Sequence, residues 1–357
     1  AGAIPIARTN LPDVGLRVHT ESTLHGLTRN PWDPDRTAGG SSGGEGAALA
    51  SGMSPLGLGN DLGGSLRNPA HCCGIASIKP TTGRVPHASV IPPEDSGIAF
   101  QLMAVEGVMA RRVADVRAGL AAVNGAHHRD PVSLPVPLEL DRPAGPIRVA
   151  VVPEPPGGST DAAIAGVVRQ AAHALAGAGY AVEEATPPSY ERALELWQLC
   201  LIPDLRLQLP ILREVMGPGG MRFLDLIDTD IPDVAALTWA ALLTERLTLA
   251  RAWAEFFASH PLVLSPVWTQ PPFRHDWDIE SAETAHATLE LMRPVLPANL
   301  LGLPAAVTCG GVVDGLPVGV QVMGDRFHDL LCLDAAEAIE TAVGPLTPIE
   351  PVRERRA

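Results

Sequence analysis

Two glycine-flanked serine clusters lie close together near the start of the chain. The first is Gly39-Gly40-Ser41-Ser42-Gly43-Gly44 and the second is Asp61-Leu62-Gly63-Gly64-Ser65-Leu66-Arg67, so that Ser41 and Ser65 are 24 residues apart. Glycine permits positive φ and a close approach of the backbone to a ligand. A serine between glycines can present its hydroxyl while neighbouring N–H groups converge on an anion. The pattern therefore predicts one cavity shared by serine hydroxyls and anion-binding amides.

Three other interpretations of the glycines are open to the sequence. Gly40-Ser41-Ser42-Gly43-Gly44 also fits the G-x-S-x-G nucleophile elbow, which needs a strand directly before its serine and an Asp and a His downstream. Here Thr37 and Ala38 follow a proline-containing loop instead. A phosphate-binding loop would end in Gly-Lys-Ser/Thr, which is missing. Glycines that only make turns would not explain two serine clusters.

With their flanks, the two clusters resemble the amidase signature family, in which a Gly-Gly-Ser-Ser-Gly-Gly loop is followed at this spacing by Gly-Gly-Ser-Ile/Leu-Arg. The resemblance covers nearly the whole chain and is densest before Pro86. The flanking segments that agree are Arg8-Thr9-Asn10, Asn30-Pro31-Trp32-Asp33, Lys79-Pro80-Thr81-Thr82-Gly83-Arg84, Met109 to Val116, Asn299 to Pro304 and Leu316 to Gly324.

The resemblance implies a serine hydrolase with a Ser-Ser-Lys triad that cleaves a carboxylic amide. Ser65 matches the acylating nucleophile, and Ser41 matches the serine after a cis peptide bond that relays the proton. Ser42 matches a helper serine that hydrogen-bonds near the nucleophile. The implied oxyanion hole consists of four backbone amides, those of Leu62, Gly63, Gly64 and Ser65. No metal or organic cofactor is implied.

The triad lysine is the part that the sequence does not supply. In the family it lies well upstream of the first serine, and the present chain starts at Ala1-Gly2-Ala3-Ile4, which resembles the strand after that segment. Lys79 is the only lysine, and it matches the family's structural Lys-Pro-Thr. We therefore expect a member of the family that lacks its N-terminal segment and is inactive as given.

Composition and charge limit the partners. The chain has 357 residues, 46% of them hydrophobic and 18% charged, with a net charge of −14, which suits a soluble globular protein. A nucleic acid or an anionic membrane needs a basic face, and a membrane span needs about 18 apolar residues in a row, so neither is expected. Five cysteines without metal-type spacing favour the reduced cytoplasm. The expected partner is a small-molecule amide, and a homodimer stays open.

The pattern of elements predicts a single α/β domain with a large twisted mixed β-sheet covered by helices on both faces. We expect a catalytic serine-loop core over residues 1–125, a Pro-rich connector over 126–146, and a remaining α/β part over 147–350 that lines the pocket. Ala1 to Arg8 is expected to be a short strand. Apolar spacing predicts long helices over Glu191 to Val215 and Val234 to Ala258, whose aromatic residues favour the core over a pocket.

Three functions are compatible with these residues. The first is a stand-alone amidohydrolase, and the second is the A subunit of the glutamyl-tRNA amidotransferase, a member of the same family. The run Pro86 to Pro93 does not resemble the amidotransferase and so favours the first. The third is a catalytically inactive fragment. The sequence upstream of Ala1 in the reading frame would separate the intact enzyme from a remnant.

Overall fold

The computed structural model describes residues 2–87, 96–141, 145–228 and 235–352. Most of the run Pro86 to Pro93 thus lies outside the described residues. The strands in chain order are β1 Glu21–Ser22, β2 Gly26–Leu27, β3 Leu56–Asp61, β4 Ala76–Lys79, β5 Val105–Ala110, β6 Arg148–Val151, β7 Ala181–Glu184, β8 Leu262–Pro266, β9 Ala305–Val313 and β10 Leu316–Gly324. The helices are α1 Gly43–Ala50, α2 Arg67–Cys73, α3 Ile98–Met103, α4 Val113–Val123, α5 Ala162–Gly177, α6 Tyr190–Val215, α7 Pro218–Ile227, α8 Ala236–Ser259, α9 Ala282–Leu291, α10 Leu296–Leu301 and α11 Asp329–Val343.

One mixed sheet organises the molecule. Within the described residues it contains eight strands in the order β3-β5-β4-β9-β10-β8-β6-β7. The pairs from β3 to β8 are antiparallel, and β6 pairs in parallel with both β8 and β7. Strands from both the serine-loop core and the later α/β part therefore lie in one sheet, and the predicted α/β fold with a mixed sheet is confirmed.

Strand β10 shows how the sheet separates two cores. Its valines, Val318, Val320 and Val322, join a buried cluster that includes residues of α4, α5 and α11. Met323 belongs to the other cluster, which includes residues of α1, α2, α6 and α8, and Gln321 is fully buried. This alternation follows from the two-residue period of a strand. Both faces of the sheet are thus covered.

Most of the expected elements agree with the structure. The two long helices are α6 and α8, and α5 lies between two strands as predicted, with the Asp161 side chain accepting hydrogen bonds from Ala163 and Ile164 N–H at its first turn. The expected strand at Ala1 to Arg8 is wrong, because residues 2–8 form no regular structure. Pro5 lacks an N–H, and no described strand pairs with this stretch. No described helix is long and apolar enough to cross a bilayer.

Candidate active site

The two serine clusters meet because the chain between them makes one helix and one strand. Helix α1 begins at Gly43, directly after Ser42, and β3 returns to Asp61, just before the second cluster. The Ser42 N–H donates to the backbone oxygen of Ser65 at 3.2 Å. The sequence separation of 24 residues is thus the length of this helix-strand unit with its turns, and it places both serines at one location.

The first serine loop has the unusual backbone that the resemblance implies. The Gly40–Ser41 peptide bond is cis, as expected. Two side chains hold the carbonyl of this peptide unit and of the one before it: Asn68 Nδ2 donates to Gly40 O at 3.2 Å, and Thr20 Oγ1 donates to Gly39 O at 2.7 Å. Gly39 has a φ of +79°, and a Cβ there would lie 2.8 Å from the backbone nitrogen of Pro69. Only glycine fits this position.

The second serine loop is built around the Asp61 carboxylate. Its Oδ1 accepts from Gly64 N–H at 2.8 Å and its Oδ2 accepts from Leu66 N–H at 3.2 Å, on either side of Ser65. Both oxygens also accept from the Arg67 guanidinium at 3.0 Å. Burial alone would raise the pKa of Asp61, but Arg67 lowers it to about 2. The carboxylate is therefore ionised at neutral pH and fixes the turn that presents Ser65.

The Gly64 amide, one of the four expected oxyanion donors, already has a partner within the loop. The Gly64 N–H is already donated to Asp61, at 2.8 Å. A hydrogen bound to a carboxylate inside the loop is not directed at a ligand in the cavity, so this contact does not support the expected role of Gly64. The amides of Leu62, Gly63 and Ser65 remain as the donors of our proposal below.

Trp197 connects α6 to the same loop. Its Nε1 donates to the backbone oxygen of Leu62 at 3.1 Å. That oxygen and the N–H of Gly63 belong to one peptide unit, and in a trans peptide the two groups point in opposite directions. The indole therefore sets the direction of the Gly63 N–H. A Cβ on Gly63 would lie 2.8 Å from the Trp197 ring, which explains why this position has no side chain.

A cavity of about 240 Å³ opens beside the second serine loop. Its loop-side wall is formed by Leu62, Gly63 and Ser65. Gly15 lies on the same wall, and a Cβ on Gly15 would be 3.5 Å from Ser41 Oγ. Ser65 therefore lines the cavity and Ser41 Oγ lies close to a residue that lines it, whereas the Ser42 hydroxyl packs against the backbone of β3, 2.7 Å from where a Cβ of Gly59 would be. The hydrogen bond expected between Ser41 and Ser65 stays a prediction.

The rest of the cavity wall is mainly apolar and comes from residues 16–18 and from α6, α7 and α9 with its following turn. The apolar side chains are Leu16, Val18, Trp197, Leu201, Ile202, Leu205, Phe223, Leu224, Ile227, Leu289 and Met292, and the polar residues are Arg17, Gln198 and His286. Such a wall suits a small ligand with an apolar body and few polar groups. Trp197 belongs to the buried core cluster, as sequence analysis favoured, and it also lines the cavity.

The only lysine of the chain is buried away from solvent. Lys79 ends β4, is fully buried, and its Nζ donates to the backbone oxygen of Pro80 at 3.0 Å. Burial, with a further contribution from Arg67, lowers the pKa of Lys79 to about 7. This position agrees with the structural role that sequence analysis assigned to Lys79.

Sequence analysis missed the polar network behind the second serine loop. Arg67 also donates to Asn299 Oδ1 at 2.6 Å and to Gln321 Oε1 at 3.1 Å, and the Asn299 amide donates to Asp61 Oδ1 at 2.9 Å. The four side chains are fully buried. Their signal in the sequence was their polarity within apolar runs, since buried polar groups need partners.

Comparison with known proteins agrees with this geometry. The family model described as Amidase matches residues 1–333. This chain belongs to the amidase family. Among curated members, it is 38% identical over 354 residues to an indoleacetamide hydrolase of Bradyrhizobium japonicum, covering 97% of this chain and 75% of that protein.

Two further members are relevant to function. The A subunit of the glutamyl-tRNA(Gln) amidotransferase of Deinococcus radiodurans is 31% identical over 376 residues, covering 96% of this chain and 76% of that protein. Among solved structures, 6-aminohexanoate cyclic dimer hydrolase complexed with substrate matches with a TM-score of 0.79 and 27% identity, covering 96% of this chain and 77% of the other. The amidase family fold is thus confirmed in sequence and in structure.

Proposed function

We propose that this amidase hydrolyses small carboxamides whose acyl group is apolar, and that Ser65 is the nucleophile. The observation that carries the proposal is the position of Ser65 and Gly63 on the wall of a cavity that is otherwise mainly apolar. An aryl or branched alkyl group would occupy the apolar part while its amide carbon lies at Ser65. The similarity to an indoleacetamide hydrolase supports an aryl acyl group.

The proposed reaction is acyl transfer in two steps. Ser65 Oγ attacks the amide carbon, its proton passes through Ser41 to a base, and the carbonyl oxygen becomes an oxyanion that the amides of Leu62, Gly63 and Ser65 stabilise. Each such donor is typically worth about 2.7–4 kcal/mol. The C–N bond then breaks and ammonia or an amine leaves with the proton. Water attacks the resulting ester, releases the carboxylic acid and restores the Ser65 hydroxyl.

Our proposal gives Lys79 no part in this proton transfer. Its Nζ donates to Pro80 O, and none of its hydrogen bonds among the described residues reaches Ser41 or Ser65. The family resemblance assigns the base to a lysine upstream of Ser41, and none of these 357 residues is such a lysine. We predict that the chain as given hydrolyses simple amides negligibly and that a chain extended upstream through a lysine is active.

The amidotransferase subunit is the weaker alternative. Its identity to this chain is 31%, against 38% for the indoleacetamide hydrolase. The cavity wall also favours the hydrolase over the amidotransferase subunit, because a glutamine side chain offers little apolar surface to the leucines and aromatic rings of α6 and α7. A partner subunit is therefore not part of the proposal.

Ligand binding tests the proposed substrate class without depending on a base. Calorimetric titration with indole-3-acetamide should show binding to one site, and titration with glutamine should show none. Leu205→Asn, which places an amide in the cavity wall, should weaken binding by about tenfold or more, equivalent to about 1.4 kcal/mol. The matched control is Leu207→Asn, because Leu207 lies on the same helix but is 81% exposed. Equal binding of both amides would refute the proposed class.

Turnover tests the proposed nucleophile. The extended chain should release ammonia from indole-3-acetamide, and Ser65→Ala should lower kcat by several orders of magnitude, as loss of a nucleophile does. Ser96→Ala, at an exposed serine away from the cavity, is the control and should leave kcat unchanged. Turnover that survives Ser65→Ala, or Ser65-dependent turnover by the unextended chain that Lys79→Met abolishes, would overturn the assignment of roles.

A further inference from the structure

We propose that His19, Glu21 and Asp276 form a binding site for a divalent transition-metal ion. His19 and Glu21 lie on the segment that leads into β1, and Asp276 lies just before the short 3-10 helix Trp277–Ile279. One possible ligand atom of each residue lies within 4.8 Å of those of the other two. The site is separate from the serines, and the proposed hydrolysis does not need it.

The first observation is a buried imidazole nitrogen without a partner. His19 is 0% exposed, and its Nδ1 is 2.9 Å from Thr37 Oγ1. Its Nε2 is buried and makes no hydrogen bond in the described residues. A buried polar group without a partner destabilises the folded state. A ligand that pairs with Nε2 would remove this cost.

The Nε2 atom of His19 lies near the carboxylates of Glu21 and Asp276. Nε2 lies 3.9 Å from Asp276 Oδ1, which is too far for a hydrogen bond. Two ligands at the usual 2.0–2.1 Å from a tetrahedral Zn²⁺ are roughly 3.4 Å apart. The side chains of Glu21 and Asp276 are 40% and 56% exposed, so small rotations can close this gap and solvent can supply a fourth ligand.

Local charge favours a divalent cation. The guanidinium of Arg17 contacts Glu21 at 3.2 Å and Asp276 at 2.9 Å, and it binds both oxygens of the buried Asp278 at 2.7 and 2.8 Å. One cation and three carboxylates give this group a net charge of −2, which one divalent ion would neutralise. Arg17 would keep its two bonds to Asp278 when the ion takes the other two carboxylates.

The contact at the second ring nitrogen of His19 suits a metal ligand. If Nδ1–H donates to Thr37 Oγ1, the lone pair is on Nε2, and a hydrogen bond from the second ring nitrogen is typical of metal-bound histidine. One imidazole with two carboxylates favours Zn²⁺ or Co²⁺ over Mg²⁺ and Ca²⁺, which prefer oxygen ligands alone.

The site is linked to the first serine loop by direct contacts. Thr37 Oγ1, the partner of His19, accepts from Gly39 N–H at 3.1 Å, and the next residue, Thr20, donates to Gly39 O at 2.7 Å. An ion on His19 would therefore fix the segment that holds this loop. None of the three proposed ligands lines the cavity, although Arg17, which contacts two of them, does. The expected effect of the ion is on stability.

Titration of the chelator-treated protein with Zn²⁺ tests the site. We expect one ion per chain, a rise in the melting temperature, and visible absorption bands of a low-coordinate ion when Co²⁺ is used. Removing a side chain that hydrogen-bonds to a metal ligand typically lowers the metal affinity about 10–100-fold. Asp276→Asn removes a ligand itself, so it should lower the Zn²⁺ affinity at least about tenfold. Asparagine tolerates the φ of +60° at this position, which keeps the variant folded.

Two further variants complete the test. His19→Gln should abolish the Co²⁺ bands, and if it fails to fold, Asp276→Asn alone decides. The control is the double variant His127→Gln/His128→Gln, which removes an exposed histidine pair whose rings are 4.2 Å apart and should leave Zn²⁺ binding unchanged. Absence of a stoichiometric Zn²⁺ complex, or a complex lost in the control and kept in Asp276→Asn, would overturn the proposal.

Discussion

Asp61→Asn should destabilise the protein strongly while hardly changing its shape. The carboxylate accepts five hydrogen bonds, three at Oδ1 and two at Oδ2. An asparagine oxygen in place of Oδ1 keeps the first three but sets its NH₂ group against Leu66 N–H and Arg67 Nε. It also removes the negative charge beside a guanidinium that is 0% exposed. Breaking a buried ion pair on one side typically costs about 3–5 kcal/mol.

The pKa of Asp61 gives a second estimate with a definite sign. It is lowered from 3.8 to about 2, which corresponds to about 2 kcal/mol at 1.36 kcal/mol per unit. Because the folded-state pKa is the lower one, this stabilisation is present above pH 3.8 and is lost as the pH falls towards 2. The gap in the free energy of unfolding between wild type and Asp61→Asn should therefore narrow over that window.

Urea unfolding at pH 7, followed by tryptophan fluorescence and far-UV circular dichroism, measures the loss. At about 2.1 cal/mol/K per residue, 3–5 kcal/mol corresponds to a fall of about 4–7 °C in Tm. The matched control is Glu183→Gln, because Glu183 pairs with Arg148 but is 46% exposed, and exposed pairs contribute about 0–1 kcal/mol. A loss below about 1 kcal/mol for Asp61→Asn, equal to the control, would refute the assigned role of the carboxylate.

Three other changes have definite expected outcomes. Trp197→Phe removes the donor that orients the Gly63 amide, a proposed oxyanion donor, so kcat of a chain extended upstream should fall by up to about 10²-fold with little change in KM. Trp253→Phe, which loses an indole donor in the core, should not lower kcat in steady-state assays. Lys79→Met should raise stability at pH 7. Burial lowers the pKa of Lys79 from 10.5 to about 7, so the wild type should regain stability relative to the variant as the pH rises from 7 to 10.5. Urea titrations that show no such gain in the free energy of unfolding would contradict this prediction. Gly64→Ala places a Cβ 2.4 Å from Asn68 at a φ of +93° and should lower Tm, whereas Gly166→Ala, with open space in α5, should raise stability by roughly 0.5–1 kcal/mol.

The sequence predicted the parts of the fold that local chemistry determines. The apolar spacing of α6 and α8 and the two glycine-serine loops depend on neighbouring residues, and the structure has them where expected. The strand at Ala1 to Arg8 failed because a strand depends on a partner that its own residues do not specify. Local propensity cannot supply such a contact.

The candidate site was predictable from the sequence to about the same degree as the fold. The cis peptide at Gly40–Ser41 was expected from the family resemblance and is present. The hydrogen bond from the Gly64 N–H to Asp61 was not expected, because it depends on how a five-residue turn folds around one carboxylate. The cavity role of Trp197 could not be read from helical spacing, since core and pocket residues share the same face of α6.

The turn that presents Ser65 depends on residues made much later in synthesis. Asp61 and Arg67 are held by Asn299, which is more than 230 residues downstream of Ser65. At about 5–20 residues per second, a ribosome needs roughly 12–47 s to travel that distance. During this interval the nascent chain has both serines but lacks the buried amide that completes the network around them. If Ser65 is the nucleophile as proposed, its reactivity is expected to appear only when α10 docks.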